Sequence, residues 1–166
     1  MEIAGSVALV TGGNRGIGEA FVRAFVAAGA KRVYVGTRQV EAAAHLVAEA
    51  PDRVQAIQLD VTDQSSIERA VQSCPDVSIL VNNAGVFLRQ TLLTAPDLSA
   101  ARTEMEVNYF GPLAMCRAFA PVLARNSPSA IANVLSAAAV VAVPIMGGYS
   151  PSKFAARAMS TCLRAE

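Results

Sequence analysis

Five short runs of β-branched and aliphatic residues recur along this chain of 166 residues, separated by stretches with helical spacing. They are VALV (7–10), VYVG (33–36), VQAIQL (54–59), VSILVNN (77–83) and AIANVL (130–135). Several are apolar on both faces, which a strand requires when it is covered above and below. In the first intervening stretch Ile17, Ala20, Phe21, Ala24, Phe25 and Ala28 repeat at helical intervals, and Gly29 stands where a glycine stop belongs. Ile67, Ala70, Val71 and Cys74 repeat the pattern after Thr62 and Asp63, both able to cap a helix. Regular strand–helix alternation predicts an α/β fold, a doubly wound parallel sheet with helices on both faces. No internal repeat, linker or low-complexity tail interrupts residues 1–166, which read as one domain.

Between the first strand and the first helix lies TGGNRGIG (11–18), four glycines in eight positions. A tight strand–helix turn favours glycine, so the run alone is weak evidence. Its place decides the reading, because a doubly wound sheet binds a nucleotide's phosphates there. Main-chain N–H groups at a helix N-terminus favour an anion, and positions without side chains let a pyrophosphate approach. Gly12, Asn14, Arg15, Gly16, Ile17 and Gly18 are therefore the candidate phosphate loop. In a dinucleotide site, an acid about 20 residues further on holds the ribose 2′-hydroxyl, whereas an Arg suits a 2′-phosphate. This chain has Thr37-Arg38 there and no acid until Glu41. With Arg15 close by, two guanidiniums and no carboxylate favour NADP(H), with NAD(H) still able to bind. Read singly, each arginine is an ordinary solvated residue.

Composition narrows the classes. The chain is 53% hydrophobic and 16% charged with a net charge of +1, which predicts a globular protein without a nucleic-acid surface. Its three cysteines, Cys74, Cys116 and Cys162, are scattered and odd in number, which argues against disulfides or zinc and fits a reducing, cytoplasmic setting. His45, the single histidine, lies in an Ala-rich stretch where an exposed helix position is expected. The N-terminus MEIAGS does not read as a signal peptide. No charge occurs between Arg125 and Lys153, yet five serines, two asparagines, three prolines and two glycines there favour a buried strand and a loop over a membrane span.

Chemistry belongs at the carboxyl ends of the strands. Asp60-Val61, Asn82-Asn83-Ala84-Gly85, Ser136 and Tyr149-Ser150-Pro151-Ser152-Lys153 fall there. Tyr149 and Lys153 are four apart, so on a helix they share a face. Tyrosine, with an ordinary pKa of about 10, is a poor acid–base group near neutrality, and a neighbouring ammonium favours its phenolate. Alone, such a pair is common on protein surfaces.

Taken in order, TGGNRGIG, NNAG, Ser136 and YSPSK make the chain resemble the short-chain dehydrogenase/reductase family, over all 166 residues. The resemblance implies a Rossmann-type sheet and NAD(P)-dependent oxidation or reduction of a small alcohol or carbonyl, with the long helices often pairing subunits into a homo-oligomer. It makes Tyr149 the general acid–base and Ser136 the residue that holds the substrate oxygen. Lys153 then binds the nicotinamide ribose and acidifies the tyrosine, and Asn108 completes a tetrad. Asp60 meets the adenine with Val61 beside it, and Asn83, Ala84 and Gly85 line the cofactor floor. Thr37-Arg38 with Arg15 is similar to the NADP-preferring pattern.

Asn108 can be reached physically as well. Leu98 to Arg125 reads as one long helix interrupted at Gly111-Pro112, and proline lacks the N–H that would bond to the Asn108 carbonyl. That acceptor is then free for a water, as the family's proton relay implies; a kink made for packing is the alternative. The family normally continues with a further strand, a substrate-covering segment and a last strand. The chain ends thirteen residues after Lys153. The resemblance thus implies a fragment, truncated after the fifth strand and the following helix, inactive alone and with that strand left as an uncovered edge. A non-catalytic dinucleotide-binding regulator and a helix-presenting assembly piece are the other readings. Binding without turnover would mark the first, and failure to bind any nucleotide the second. Phe87-Leu88 and AAAVVAVPIMGG (137–148) hint at an apolar carbonyl substrate.

Overall fold

The computed structural model describes all 166 residues, Met1–Glu166. They form two compact units, one of residues 1–84 and 114–132, the other of residues 85–113 and 133–166.

The first unit is built on the sheet. Its strands β1 (Val7–Thr11), β2 (Arg32–Thr37), β3 (Val54–Gln58), β4 (Ile79–Asn82) and β5 (Ala130–Asn133) lie in the order β3-β2-β1-β4-β5. They make a parallel, Rossmann-like sheet, as the alternation of apolar runs predicts. β1 is central, with Val7 opposite Arg32 on one side and Ala8 opposite Ile79 on the other. All five of its residues are buried, which explains why VALV has no polar alternate. Full burial of side chains such as Leu9, Val33 and Leu80 contributes about 1.5–3 kcal/mol each. β3 and β5 are the two edges, and Ala130, Ile131 and Ala132 of β5 are exposed, in line with the expected open edge.

Helices α1 (Gly16–Ala27), α2 (Ala44–Glu49) and α3 (Gln64–Ser73) follow the first three strands. Right-handed crossovers put α1 and α2 on one face of the sheet, and the reversal of direction after β3 puts α3 on the other. Arg23 of α1 clasps Glu49 of α2 at 2.6 Å. Gly29, with φ +82°, ends the first helical stretch as expected. Asp63 caps α3 by accepting the Ser65 N–H at 2.9 Å.

Two expectations need correction. The buried face of α1 is Gly18, Val22 and Phe25, whereas Ile17, Ala20, Ala24 and Ala28 are exposed. Apolar residues populate most of this helix surface, so spacing could not choose the face; the tight seat of Gly18 chooses it. The long helix is also broken earlier than Gly111-Pro112. It runs as α4 (Ser99–Met105), a π-helical turn at Glu106–Phe110, and α5 (Gly111–Arg125). The Gly111 N–H reaches back five residues to the Glu106 carbonyl. The helix absorbs the missing Pro112 donor by widening the turn before it.

The second unit holds α4, the π-helical turn, the first residues of α5, and α6 (Tyr149–Leu163), with short turns at Ala137–Ala139 and Pro144–Met146. No helix is long and apolar enough to cross a membrane.

Candidate functional site

The glycine loop is set by Thr11 and Asn83. Thr11 Oγ1 accepts the N–H groups of Asn83 and Ala84, each at 3.0 Å. Asn83 Nδ2 donates to the carbonyls of Thr11 at 2.9 Å and Gly12 at 3.0 Å. These bonds lock the loop to the end of β4. Gly12 and Gly16 have φ of +61° and +57°, which favour glycine. A Cβ on Gly18 would lie 2.3 Å from the Gly12 carbonyl oxygen, so helix and loop meet backbone to backbone. A Cβ on Gly16 would meet nothing within 4 Å. Arg15 adopts the N-cap position of α1 without a side-chain cap, and Ile17 stands out from the core at 64% exposure.

Around the strand ends, Thr37 is buried and its hydroxyl donates to the Gln39 carbonyl at 3.1 Å. Arg38 and Arg15 are exposed, and their side chains make neither an ion pair nor a hydrogen bond within the protein. Asp60 Oδ1 accepts from the N–H and hydroxyl of Thr62 at 2.9 and 2.7 Å, and its own N–H donates to Ser66 Oγ. Val61 is buried beside it.

In the second unit, Tyr149 opens α6 and Lys153 follows one turn later, its Nζ 5.8 Å from the centre of the tyrosine ring. Lys153 Nζ donates to the Val134 carbonyl at 3.1 Å, and burial pushes the ammonium's pKa down. The Tyr149 ring lies 4.7 Å from that of Phe87. Ser136 is extended and caps the turn at Ala137–Ala139, its Oγ accepting the Ala138 N–H at 3.1 Å. Its hydroxyl proton is left to donate elsewhere. Asn108, in the π-helical turn, has a fully engaged side chain. Oδ1 accepts the Val86 N–H, while Nδ2 donates to the Val86 carbonyl and to Ser152 Oγ, at 2.9 to 3.0 Å. Only its main chain is left to take part in a relay.

A family model described as short chain dehydrogenase matches residues 6–166. The chain belongs to the short chain dehydrogenase family. Among curated relatives it is 33% identical to the short chain dehydrogenase pigC of Monascus ruber, over 99% of this chain and 58% of that protein. It is 35% identical to dehydrogenase/reductase SDR family member 7B of Xenopus tropicalis, over 97% of this chain and 56% of that protein. The chain thus spans a little over half the length of these relatives. Among solved structures, a short chain dehydrogenase from Burkholderia cenocepacia in complex with NADP superposes with a TM-score of 0.93 at 45% identity, covering 99% of this chain and 68% of that one. A short chain dehydrogenase/reductase from Burkholderia phymatum in complex with NAD gives 0.89 at 27% identity, covering 98% and 60%.

As a short chain dehydrogenase, the chain has features that fit a dinucleotide on their own geometry: an open Gly16 at a helix N-terminus, the unpaired guanidinium of Arg15 on the same loop and that of Arg38 after β2. Three residues of its framework carry no sequence signal strong enough to single them out. Thr11 and Ser152 lie inside quoted motifs but look like fillers. Glu104, buried on α4 with Oε1 accepting the Leu88 N–H at 2.8 Å, looks like a surface acid. Ser152 Oγ accepts from Asn108 and donates to the Tyr149 carbonyl at 2.7 Å, linking the π-helical turn to the first turn of α6.

Proposed function

We propose that the chain carries the cofactor-binding and catalytic residues of an oxidoreductase that reduces a carbonyl to an alcohol, or runs the reverse, preferring NADP(H) to NAD(H). The observation that carries the reading is the pair Tyr149–Lys153, one helical turn apart, with a buried ammonium 5.8 Å from the phenol ring.

The main chain of Gly12 to Gly18 would hold the pyrophosphate at the start of α1. Arg15 and Arg38 would pair with a ribose 2′-phosphate, Asp60 and Val61 would face the adenine, and Ala84 and Gly85 would form the floor. The dinucleotide, when bound, supplies a hydride. The substrate oxygen then gains charge and needs a proton, and the Tyr149 hydroxyl, which makes no hydrogen bond within the protein, is placed to give it. The Ser136 hydroxyl donates to the same oxygen. The Lys153 ammonium stabilises the phenolate left behind and binds the nicotinamide ribose. Asn108 pins Val86 and Ser152 with its side chain and offers its carbonyl, deprived of the Pro112 donor, to a water that returns the proton.

The full-length protein tests this with carbonyl substrates and single-turnover hydride transfer. Tyr149→Phe should lose roughly 10²–10⁴ in rate while NADPH binding survives. Ser136→Ala should mainly depress turnover, and Lys153→Met should damage both turnover and cofactor affinity. A Tyr149→Phe enzyme that binds NADPH normally and stays within a few-fold of the parent rate would end the reading. Arg38→Asp should weaken NADPH binding and spare NADH; equal affinities for both cofactors in the unmutated protein would refute the preference.

A further inference from the structure

Two loops of the second unit, 85–98 and 137–148, expose apolar side chains such as Leu92, Leu93, Val140 and Ile145. They carry one basic residue, Arg89, and one acid, Asp97, whose carboxylate is spent on the Ser99 N–H at 2.7 Å. Arg89 is the one non-glycine residue of the chain with positive φ, at 55°. Such backbone persists only where its surroundings dictate it. Here they do so on both sides. The Leu88 N–H is held by Glu104 at 2.8 Å, and the Gln90 carbonyl lies so close to Gly147 that a Cβ there would stand 1.9 Å from it. The conformation sets the guanidinium carbon 5.8 Å from the centre of the Phe87 ring, and that ring is 4.7 Å from Tyr149. Arg89 makes no ion pair or hydrogen bond within the protein. A cation held in a strained backbone, unpaired, and one aromatic ring away from the proposed acid is arranged to meet an anion.

We propose that Arg89 reads a carboxylate on the substrate, so that the compound reduced is a keto acid with an apolar body. The inference rests on the oxidoreductase reading above and adds its substrate class. The planar guanidinium fork matches a carboxylate in bidentate fashion. A single guanidinium without an ion-pair partner suits a monocarboxylate, whereas a phosphate dianion calls for more donors. The apolar loop residues would cover the chain between carboxylate and carbonyl, and Phe87 sets the distance between them.

The test compares a straight-chain keto acid with its methyl ester in the full-length protein with NADPH. The unmutated protein should prefer the acid at least tenfold in kcat/KM. In Arg89→Gln that ratio should fall to near one, through a raised KM for the acid and not through kcat. Arg89→Gly should lose the preference too, with an undiminished melting temperature, because glycine accepts the left-handed backbone. Equal use of acid and ester by the unmutated protein, or a preference that survives in Arg89→Gln, overturns the proposal. Calorimetric binding of the keto acid separates the two readings. If neither compound is reduced while other carbonyls are, the keto-acid proposal fails and the oxidoreductase reading stands. If no carbonyl is reduced, the oxidoreductase reading fails, and acid binding that is lost in Arg89→Gln upholds the Arg89 contact while its absence overturns it.

Discussion

Gly18 leaves no space for even a methyl group, since a Cβ would sit 2.3 Å from the Gly12 carbonyl oxygen and 2.5 Å from Asn83 Nδ2. Gly18→Ala should therefore push α1 off its loop and cost about 1–3 kcal/mol, with weaker dinucleotide affinity. Unchanged melting and unchanged affinity would mean that the loop has slack. Lys153 gives a second handle. Burial lowers its pKa from the ordinary 10.5, so between the lowered value and 10.5 the unfolded chain binds a proton that the folded chain has released. Stability contributed by this residue should rise with pH across that window and level off above it. Denaturant titrations from neutral pH to beyond 10.5 should show the rise in the parent and lose it in Lys153→Met; the same slope in both would assign it to other groups.

At the scale of elements, the cysteines sort by the helix or loop that carries them. Cys74 at the end of α3 and Cys116 within α5 are buried, and burial pushes the Cys74 thiol up to about 12 and raises Cys116 as well. Cys162 on α6 is exposed. Thiolate is the reactive form, so a maleimide or disulfide reagent should label Cys162 first, with the other two reacting only on unfolding; prompt labelling of Cys74 would contradict its packing. The elements themselves were legible to different degrees. The three interior strands β1, β2 and β4 stand out because their environment demands apolar runs, and Asp63 and Gly29 announce helix ends by their own chemistry. The buried face of α1 was not legible, because alanine suits either side of a helix and the deciding contact is between two backbones. Nor was the start of the π-helical turn, since Pro112 removes a donor but does not say which turn widens to accommodate the loss. In the candidate site the motif residues were readable, while Thr11, Glu104 and Ser152 were not: each acts through hydrogen bonds to main-chain or side-chain atoms distant in sequence.

At the scale of the whole molecule, the sheet ends in two edge strands, β3 and β5. β5 closes the sheet with Ala130, Ile131 and Ala132 exposed, and an open edge presents unpaired N–H and carbonyl groups to another chain. Residues 1–166 expressed as such should self-associate, and Ile131→Lys should reduce the association by placing a charge on the edge. Light scattering over a concentration series checks this; a monodisperse parent would show that the edge is protected by some other means. Strand order was legible only as a class, because alternation implies parallel crossovers, but the order β3-β2-β1-β4-β5 depends on where each crossover turns back.

The anchoring of Asn83 also bears on how the protein ages. Asparagine deamidates when the peptide nitrogen of the next residue attacks the side-chain carbonyl carbon and expels ammonia, a ring closure that needs a mobile backbone. At Asn83 that nitrogen belongs to Ala84 and is tied to Thr11 Oγ1, while the departing nitrogen is pinned between two carbonyls. The product would set a carboxylate against those same carbonyl oxygens, so the change is opposed at both ends. Peptide mapping after prolonged mildly alkaline storage should find Asn83 intact in the folded protein. Thr11→Val, which frees the Ala84 nitrogen, should let the conversion proceed; equal damage in both would show that the tether gives no protection. The hydroxyl that shapes the loop would then also set its shelf life.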